Sequence, residues 1–265
     1  MPDKFTVLLL GDVFGQPGCR ALFVGLKGLR KEHRADMVVV NGENAAADGF
    51  GITPEIAGQL FSSGADVITT GNHIWQKREV LGYLDSEERI LRPANYPPGV
   101  AGHGTVVVDV KGTAVGVINL QGRVRMGSLD CPFRTAADLV RKLKEKAKII
   151  LVDFHAEAPD EKEALASYLD GQVTFIGGTH THVQTADERI YPGGTGYITD
   201  LGMTGPTESV IGCSLDISLR RSETQMPLKM EVADNSASIQ GVKVEIDRES
   251  GHTLTIERLM IQSFL

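Results

Sequence analysis

The run Phe5-Thr6-Val7-Leu8-Leu9-Leu10, closed by Gly11, constrains the fold more than any other stretch of the chain. It is almost unbroken in apolar and β-forming residues, so a strand there must be covered on both faces, as in the middle of a sheet packed from two sides. Comparable runs recur at Met37–Val40, Asp66–Thr70 and Ile149–Phe154, with helical segments between them. After a loop over Gly15–Gly18, Ala21–Arg30 fits a core-packed helix. Thr53-Pro54-Glu55 offers a capping hydroxyl, a proline at the first helical position and an early acid, and predicts a helix to about Ser62. Another helix is expected from Gln76 to Leu84. Strand, loop and helix therefore alternate, which is the pattern of an α/β chain. Thr105–Val110 and Ala114–Leu120, joined through Lys111-Gly112, read as a hairpin and make the sheet arrangement mixed. Helices over Phe133–Ala147 and Pro159–Tyr168 lead to a short strand, Val173–Ile176. Beyond it lie strands near Ile190-Tyr191 and Tyr197-Ile198, a loop from Asp200 to Pro206, an unassigned segment over Ser214–Glu223, and a hairpin of Ile239–Ile246 with Thr253–Ile261. We read residues 1–265 as one domain.

Charge and cysteine content narrow the function. Lys and Arg number 27 against 34 Asp and Glu, a net charge of -7, which disfavours a broad grip on a nucleic-acid backbone but leaves room for a small anionic substrate held locally. Cys19, Cys131 and Cys213 are widely spaced and odd in number, and read as reduced thiols. The apolar run at Phe5–Leu10 is too short for a signal-peptide core or a membrane span, so a cytoplasmic protein is expected.

The polar residues that follow the strands carry the chemistry. Asp12, Glu43, Asn72, His155, His180 and His182 all fall at or just beyond strand carboxyl ends, where open α/β sheets place their ligands. His180 and His182, after the glycine pair Gly177-Gly178, are two residues apart, so an extended backbone turns both imidazoles to one side. Carboxylates, amides and imidazoles together form a mixed oxygen and nitrogen set suited to first-row transition metals, with enough donors for two ions and a carboxylate to bridge them.

The order of these motifs resembles the calcineurin-like metallophosphoesterase family, whose motifs run Asp-x-His, Gly-Asp, Gly-Asn-His, His and Gly-x-His. Here they read Asp12-Val13-Phe14, Gly42-Glu43-Asn44, Gly71-Asn72-His73, His155 and Gly178-Thr179-His180-Thr181-His182. The match spans roughly residues 5 to 185. It departs at Phe14, where the family usually has a histidine ligand, and at Glu43, which replaces an aspartate. With those departures the chain is similar to the YmdB-type branch. The resemblance implies a metallophosphoesterase-type α/β sandwich of mixed sheets flanked by helices, with the site at the carboxyl ends of the strands. It also implies two divalent or mixed-valence metal ions and 2′,3′-cyclic nucleotide phosphodiesterase activity. Asn44 would supply the ligand that Phe14 cannot. The first ion would then take Asp12, Glu43, Asn44 and His182, and the second Glu43, Asn72, His155 and His180. Few imidazoles at the first ion favour iron or manganese over zinc. Two ions about 4 Å apart would activate a bridging hydroxide, and His73 would protonate the departing sugar oxygen as general acid. The expected partner is a small phosphate ester, without membrane or extended nucleic-acid binding; a homo-oligomer is compatible with the sequence.

Other readings stand beside this one. Gly11-x-x-x-Gly15-x-x-Gly18 after a strand partly matches a dinucleotide-cofactor loop, although Asp12 would then face a pyrophosphate and the histidines would go unexplained. A metal-site protein acting through a regulatory partner is also consistent. Asp153 and Asp187 are either supports for site histidines or solvated loop carboxylates. Arg123 and Arg125 either reach a substrate phosphate or face water and are left out of the site, and Met203–Pro206 is a loop that spacing alone does not tie to the pocket.

Overall fold

The structure, a computed structural model, describes residues 3–263. In chain order the elements are β1 (Lys4–Leu10), β2 (Asp12–Val13), α1 (Gly15–Glu32), β3 (Met37–Asn41), α2 (Pro54–Ser63), β4 (Val67–Thr69), a 3-10 turn at Ile74–Gln76, and α3 (Val80–Ser86). They continue with β5 (Thr105–Val110), β6 (Thr113–Gln121), α4 (Pro132–Leu143), β7 (Ile149–His155), α5 (Pro159–Tyr168), β8 (Phe175–Thr179), β9 (Arg189–Ile190) and β10 (Gly196–Ile198). The last are β11 (Met203–Pro206), α6 (Leu215–Thr224), β12 (Ala237–Asp247) and β13 (Thr253–Ser263).

Two mixed sheets form the frame. One is seven-stranded in the order β2-β11-β12-β1-β3-β4, with β13 on the other edge of β12; the second is six-stranded in the order β5-β6-β7-β8-β10-β9. β1, β3 and β4 run parallel, as do β6, β7, β8 and β10, while β12 is antiparallel to β1 and β5 to β6. Alternate residues of β1 serve different layers. Phe5, Val7 and Leu9 meet Val117, Leu151 and Phe175 of the second sheet, whereas Leu8 and Leu10 pack with Leu22 and Leu26 of α1 and Leu60 of α2. On the outer face of the second sheet, Leu120, Ile150 and Val152 pack with Val140 of α4 and Leu165 of α5. The result is helix, sheet, sheet, helix, with β1 buried on both faces as its composition requires; each such buried aliphatic or aromatic side chain is worth about 1.5–3 kcal/mol.

Several boundaries differ from the sequence reading. Helix α1 starts at Gly15, since Pro17 lies in the first turn, where a missing N–H costs nothing. The helix expected from Gln76 to Leu84 is split into the 3-10 turn and α3. Helix α4 stops at Leu143, beyond which Lys144-Glu145-Lys146 offers nothing apolar to the sheet. Met203–Pro206 is a strand, paired in parallel with β2 and antiparallel with β12, and Leu215–Thr224 is a helix. Strand β8 runs later than expected, so Gly177 and Gly178 lie inside it. They are needed for contact rather than for turning: a Cβ on Gly178 would run into the Thr199 carbonyl oxygen.

Two glycines make the distinction measurable. Gly178→Ala should cost ~3 kcal/mol or more, because neighbouring backbone cannot yield. Gly58→Ala, in α2 with nothing within 4 Å of the new methyl, should add about 0.5–1 kcal/mol through helix propensity. Urea unfolding midpoints with unchanged slope check both; equal shifts would contradict the packing at Gly178.

Candidate active site

Because β1, β3 and β4 run parallel in one sheet and β6, β7 and β8 in the other, their carboxyl ends share one rim. Asp12 leaves β1, Glu43 and Asn44 follow β3, and Asn72 and His73 follow β4. His155 ends β7, and His180 and His182 follow β8. Every site residue expected from the sequence is brought together there. Asp12, Glu43, Asn44 and His155 are at most 3% exposed.

The polar atoms fall into two groups. His155 Nε2 lies 3.0 Å from His180 Nδ1, 3.2 Å from Asn72 Oδ1 and 3.4 Å from Glu43 Oε1. His182 Nε2 lies 3.1 Å from Asn44 Nδ2 and 3.8 Å from Asp12 Oδ1. Among the described residues no three His, Cys, Asp or Glu side chains by themselves form a metal-holding group, so the asparagine amides beside them matter to any ion held here.

Each histidine is tied outward through one ring nitrogen, which decides what the other presents. His155 Nδ1 is 3.0 Å from Thr179 Oγ1, and Thr179 in turn donates to Asp153 Oδ1 at 2.7 Å. The threonine proton being spent on Asp153, His155 Nδ1 must be the donor and Nε2 is the nitrogen that faces the site. His182 Nδ1 lies 2.9 Å from the Ile211 carbonyl oxygen and donates to it, so His182 Nε2 faces inward as an acceptor; His180 turns Nδ1 to His155 Nε2, with its own Nε2 3.3 Å from Glu157 Oε2. Two inward-facing ring nitrogens 3.0 Å apart, beside Asp12 Oδ1 and Glu43 Oε2, both buried without any hydrogen-bond partner, make a cavity wall that calls for positive charge.

Protonation follows the same logic. Burial disfavours a charged His155, yet the Glu43 carboxylate and its hydrogen bond, with Asp12 and Asp153 behind, outweigh it and push His155 up to about 9. Burial and the charge on His155 push His180 down to about 3. Burial opposes ionisation of Glu43, but His155 and His73 hold it well below the usual carboxylate range. Asp12 is raised by burial against the pull of His182 and His155. A proton on His155 thus occupies the place that a cation would take.

His73 is held differently. Its backbone N–H donates to Glu43 Oε1 at 2.8 Å, and Nδ1 lies 2.8 Å from Asn44 Oδ1 and 3.1 Å from Glu43 Oε1. Nδ1–H is therefore the anchored end, and its side chain is 26% exposed.

The backbone around His180 and His182 corrects the expectation of an extended pair. His180 has φ 101° and His182 φ 64°, in the left-handed region that non-glycine residues seldom enter. The turn comes from the histidines themselves, and their rings reach different groups. Asp200 holds the intervening residue: its Oδ2 accepts from Thr181 N at 3.2 Å, Thr181 Oγ1 at 2.9 Å and buried Lys162 Nζ at 2.8 Å.

Of the two open carboxylates, Asp153 supports a site histidine through Thr179 and also accepts from Asn41 Nδ2 at 2.8 Å and from Thr69 Oγ1; burial raises it to about 6 against those bonds. Asp187 does not, accepting instead from Thr199. Arg123 and Arg125 are exposed. Met203 and Pro206 share a cavity of about 350 Å³ with His182 and Ile211. The glycines of the cofactor-like run serve close packing: Cβ atoms on Gly11 and Gly18 would strike the carbonyl oxygens of Gly202 and Thr204, so β11 occupies the space a pyrophosphate would need. Phe14 packs edge to face on His182 at 5.2 Å between ring centroids. Sequence reasoning missed Thr179, Asn41, Thr69, Glu157, Lys162 and Asp200; polar residues inside apolar strands, as at Asn41 and Thr69, were the available signal.

A family model described as "YmdB-like protein" matches residues 8–259. The 2′,3′-cyclic-nucleotide 2′-phosphodiesterase of Bacillus subtilis (strain 168) is 42% identical over 255 residues, 96% of each chain. Among solved structures, a phosphatase from Mycoplasma pneumoniae superposes with a TM-score of 0.92 at 34% identity, covering 99% of this chain and 95% of that one. A hypothetical protein from Thermus thermophilus gives 0.90 at 39% identity, covering 98% and 100%.

The raised His155 has a stability consequence in the ion-free chain. Folding raises its pKa from 6.5 to about 9, so its contribution is complete below pH 6.5 and fades as pH rises through 9. In excess chelator, the urea midpoint should fall between about pH 7 and 9, and His155→Gln should flatten that slope. A wild-type midpoint constant over this interval would contradict the assignment.

Proposed function

The chain belongs to the YmdB-like family and has the metallophosphoesterase fold, and on that premise we propose that it is a metal-dependent phosphoric diester hydrolase that opens 2′,3′-cyclic nucleotides at the bond to the 2′ oxygen. The observation that carries this reading is the convergence of three imidazole nitrogens on two buried carboxylates with unpartnered oxygens. The donor set fits a pair of hard-to-intermediate cations. Asp12, Glu43, Asn44 and His182 would hold the first, and Glu43, Asn72, His155 and His180 the second, with iron or manganese favoured over zinc by the oxygen-rich first group. Asn44 carries its oxygen toward His73 and its nitrogen toward His182; a half-turn about Cβ–Cγ would give the first ion its oxygen and leave Glu43 Oε1 as the acceptor for His73 Nδ1–H. When bound, such ions supply Lewis acidity that activates water and neutralises phosphoryl charge.

The chain's own residues do the rest. A water oxygen joins phosphorus in line with the bond to O2′, that bond breaks, and O2′ departs carrying the electron pair. His73, anchored through Nδ1–H to Glu43, presents Nε2, which has no hydrogen-bond partner among the described residues, and delivers the proton that O2′ needs. The product is a nucleoside 3′-phosphate. A cytoplasmic location belongs to the same proposal. Among the described residues no helix is long and apolar enough to cross a membrane.

Metal content and leaving-group dependence test the reading together. The purified enzyme should carry two equivalents of transition metal by elemental analysis, and Glu43→Ala should empty both positions. His73→Ala should keep its metal yet slow 2′,3′-cyclic AMP hydrolysis by ~10²–10⁴-fold, while slowing bis(4-nitrophenyl) phosphate much less, because nitrophenolate leaves without a proton. Equal slowing on both substrates would rule out His73 as the acid.

A further inference from the structure

We infer that Phe50 is the platform on which the nucleobase of the substrate stacks, an inference that rests on the cyclic-nucleotide reading above. Phe50 is 39% exposed, unusual for so large an apolar side chain, and it lies on the proposed general acid: its ring centroid is 5.0 Å from that of His73, with the planes at 88°. In a T-shaped pair one ring meets the other by its edge, so at least one face of Phe50 stays uncovered by His73.

Substrate chemistry puts a base at this spot. The oxygen that His73 protonates is O2′, carried by C2′, and the neighbouring carbon C1′ bears the base. Whatever group reaches O2′ therefore has the base as a close neighbour. An aromatic ring beside that group, with an open face and no polar atom, offers stacking to any base and hydrogen bonds to none.

The loop is built to hold the ring there. It starts at Asn44 and returns to Glu43, whose carbonyl oxygen accepts from Gly51 N at 2.8 Å; Ala46 N donates to Gly51 O and Gly49 N to Ala46 O, both at 2.8 Å. Gly49 (φ 79°) and Gly51 (φ 77°) flank Phe50, and a Cβ on either would sit 2.9 Å from Phe14 Cζ or the His73 carbonyl oxygen. Asp48 accepts from Phe50 N at 3.3 Å and pairs with Lys77 Nζ at 2.7 Å, so a carboxylate near an anionic substrate is neutralised. The same loop that places Glu43 and Asn44 thus fixes Phe50 beside His73.

The test is steady-state kinetics on two substrates, 2′,3′-cyclic AMP and the base-free ester methyl riboside 2′,3′-cyclic phosphate. For Phe50→Ala, kcat/KM on cyclic AMP should fall ~10-fold, within the about 5- to 150-fold that base–aromatic stacking supports, and mainly through KM. The base-free ester should be turned over as by wild type, metal content should be unchanged, and Phe50→Trp should restore cyclic AMP binding. Loss on both substrates alike, or on neither, would overturn the stacking role; the first would make Phe50 a support for His73. A wild-type enzyme that hydrolyses neither ester, while cleaving bis(4-nitrophenyl) phosphate, would instead overturn the substrate reading and the inference with it.

Discussion

Everything at the rim depends on buried carboxylates and inward-facing imidazole nitrogens held together with the proton on His155 as their counter-charge. Asp12 and Glu43 are essentially inaccessible to water, each with an oxygen lacking a partner, and each nearby imidazole turns one nitrogen inward because the opposite one faces Thr179, Glu157 or the Ile211 carbonyl. Such a cluster is costly alone and strongly favourable around a cation. The fold bears that cost, and a bound cation would recover it.

The supports of that cluster also join the sheets. Asp153 on β7 accepts from Asn41 of β3, from Thr69 of β4 and from Thr179 of β8. Inside a sandwich whose interior is otherwise Val, Leu, Ile and Phe, this is a polar rivet between layers, and Asn41 Oδ1 also accepts from Glu43 N at 2.9 Å. A slip of one sheet over the other would move His155 relative to Glu43 and strand several buried polar groups together. Relative sheet position and site geometry are therefore one constraint.

Left-handed backbone occurs at the site as well as in the turns at Arg34, Lys111, Arg125 and Gln225. His180, His182 and Ile211 all take positive φ, and Ile211, as a β-branched residue, does so at particular cost. The surrounding bonds hold them: Asp200 and Lys162 grip Thr181, the Asp12 carboxylate accepts from His180 N at 3.1 Å, and the Ile211 carbonyl receives His182.

What the sequence determined by itself was periodicity and order. The unbroken apolar run at β1 demanded cover on both faces, Thr53-Pro54 set the start of α2, and polar residues placed after successive strands had to meet on one rim once those strands ran parallel. Asp12, Glu43, Asn72, His73, His155, His180 and His182 were legible for that reason, since strand direction fixes which end a residue occupies, whereas Asn44 came from the family resemblance. Only the tertiary structure decided how they meet. The left-handed turns at His180 and His182, the relay through Thr179, the choice of Asp153 over Asp187, and the packing role of Gly11, Gly18 and Gly178 each depend on a neighbour distant in the chain. Periodicity reports which way a residue faces within its own element; it carries no information about which other element arrives there, and that arrival fixes tautomers, strain and the exposure of Phe50.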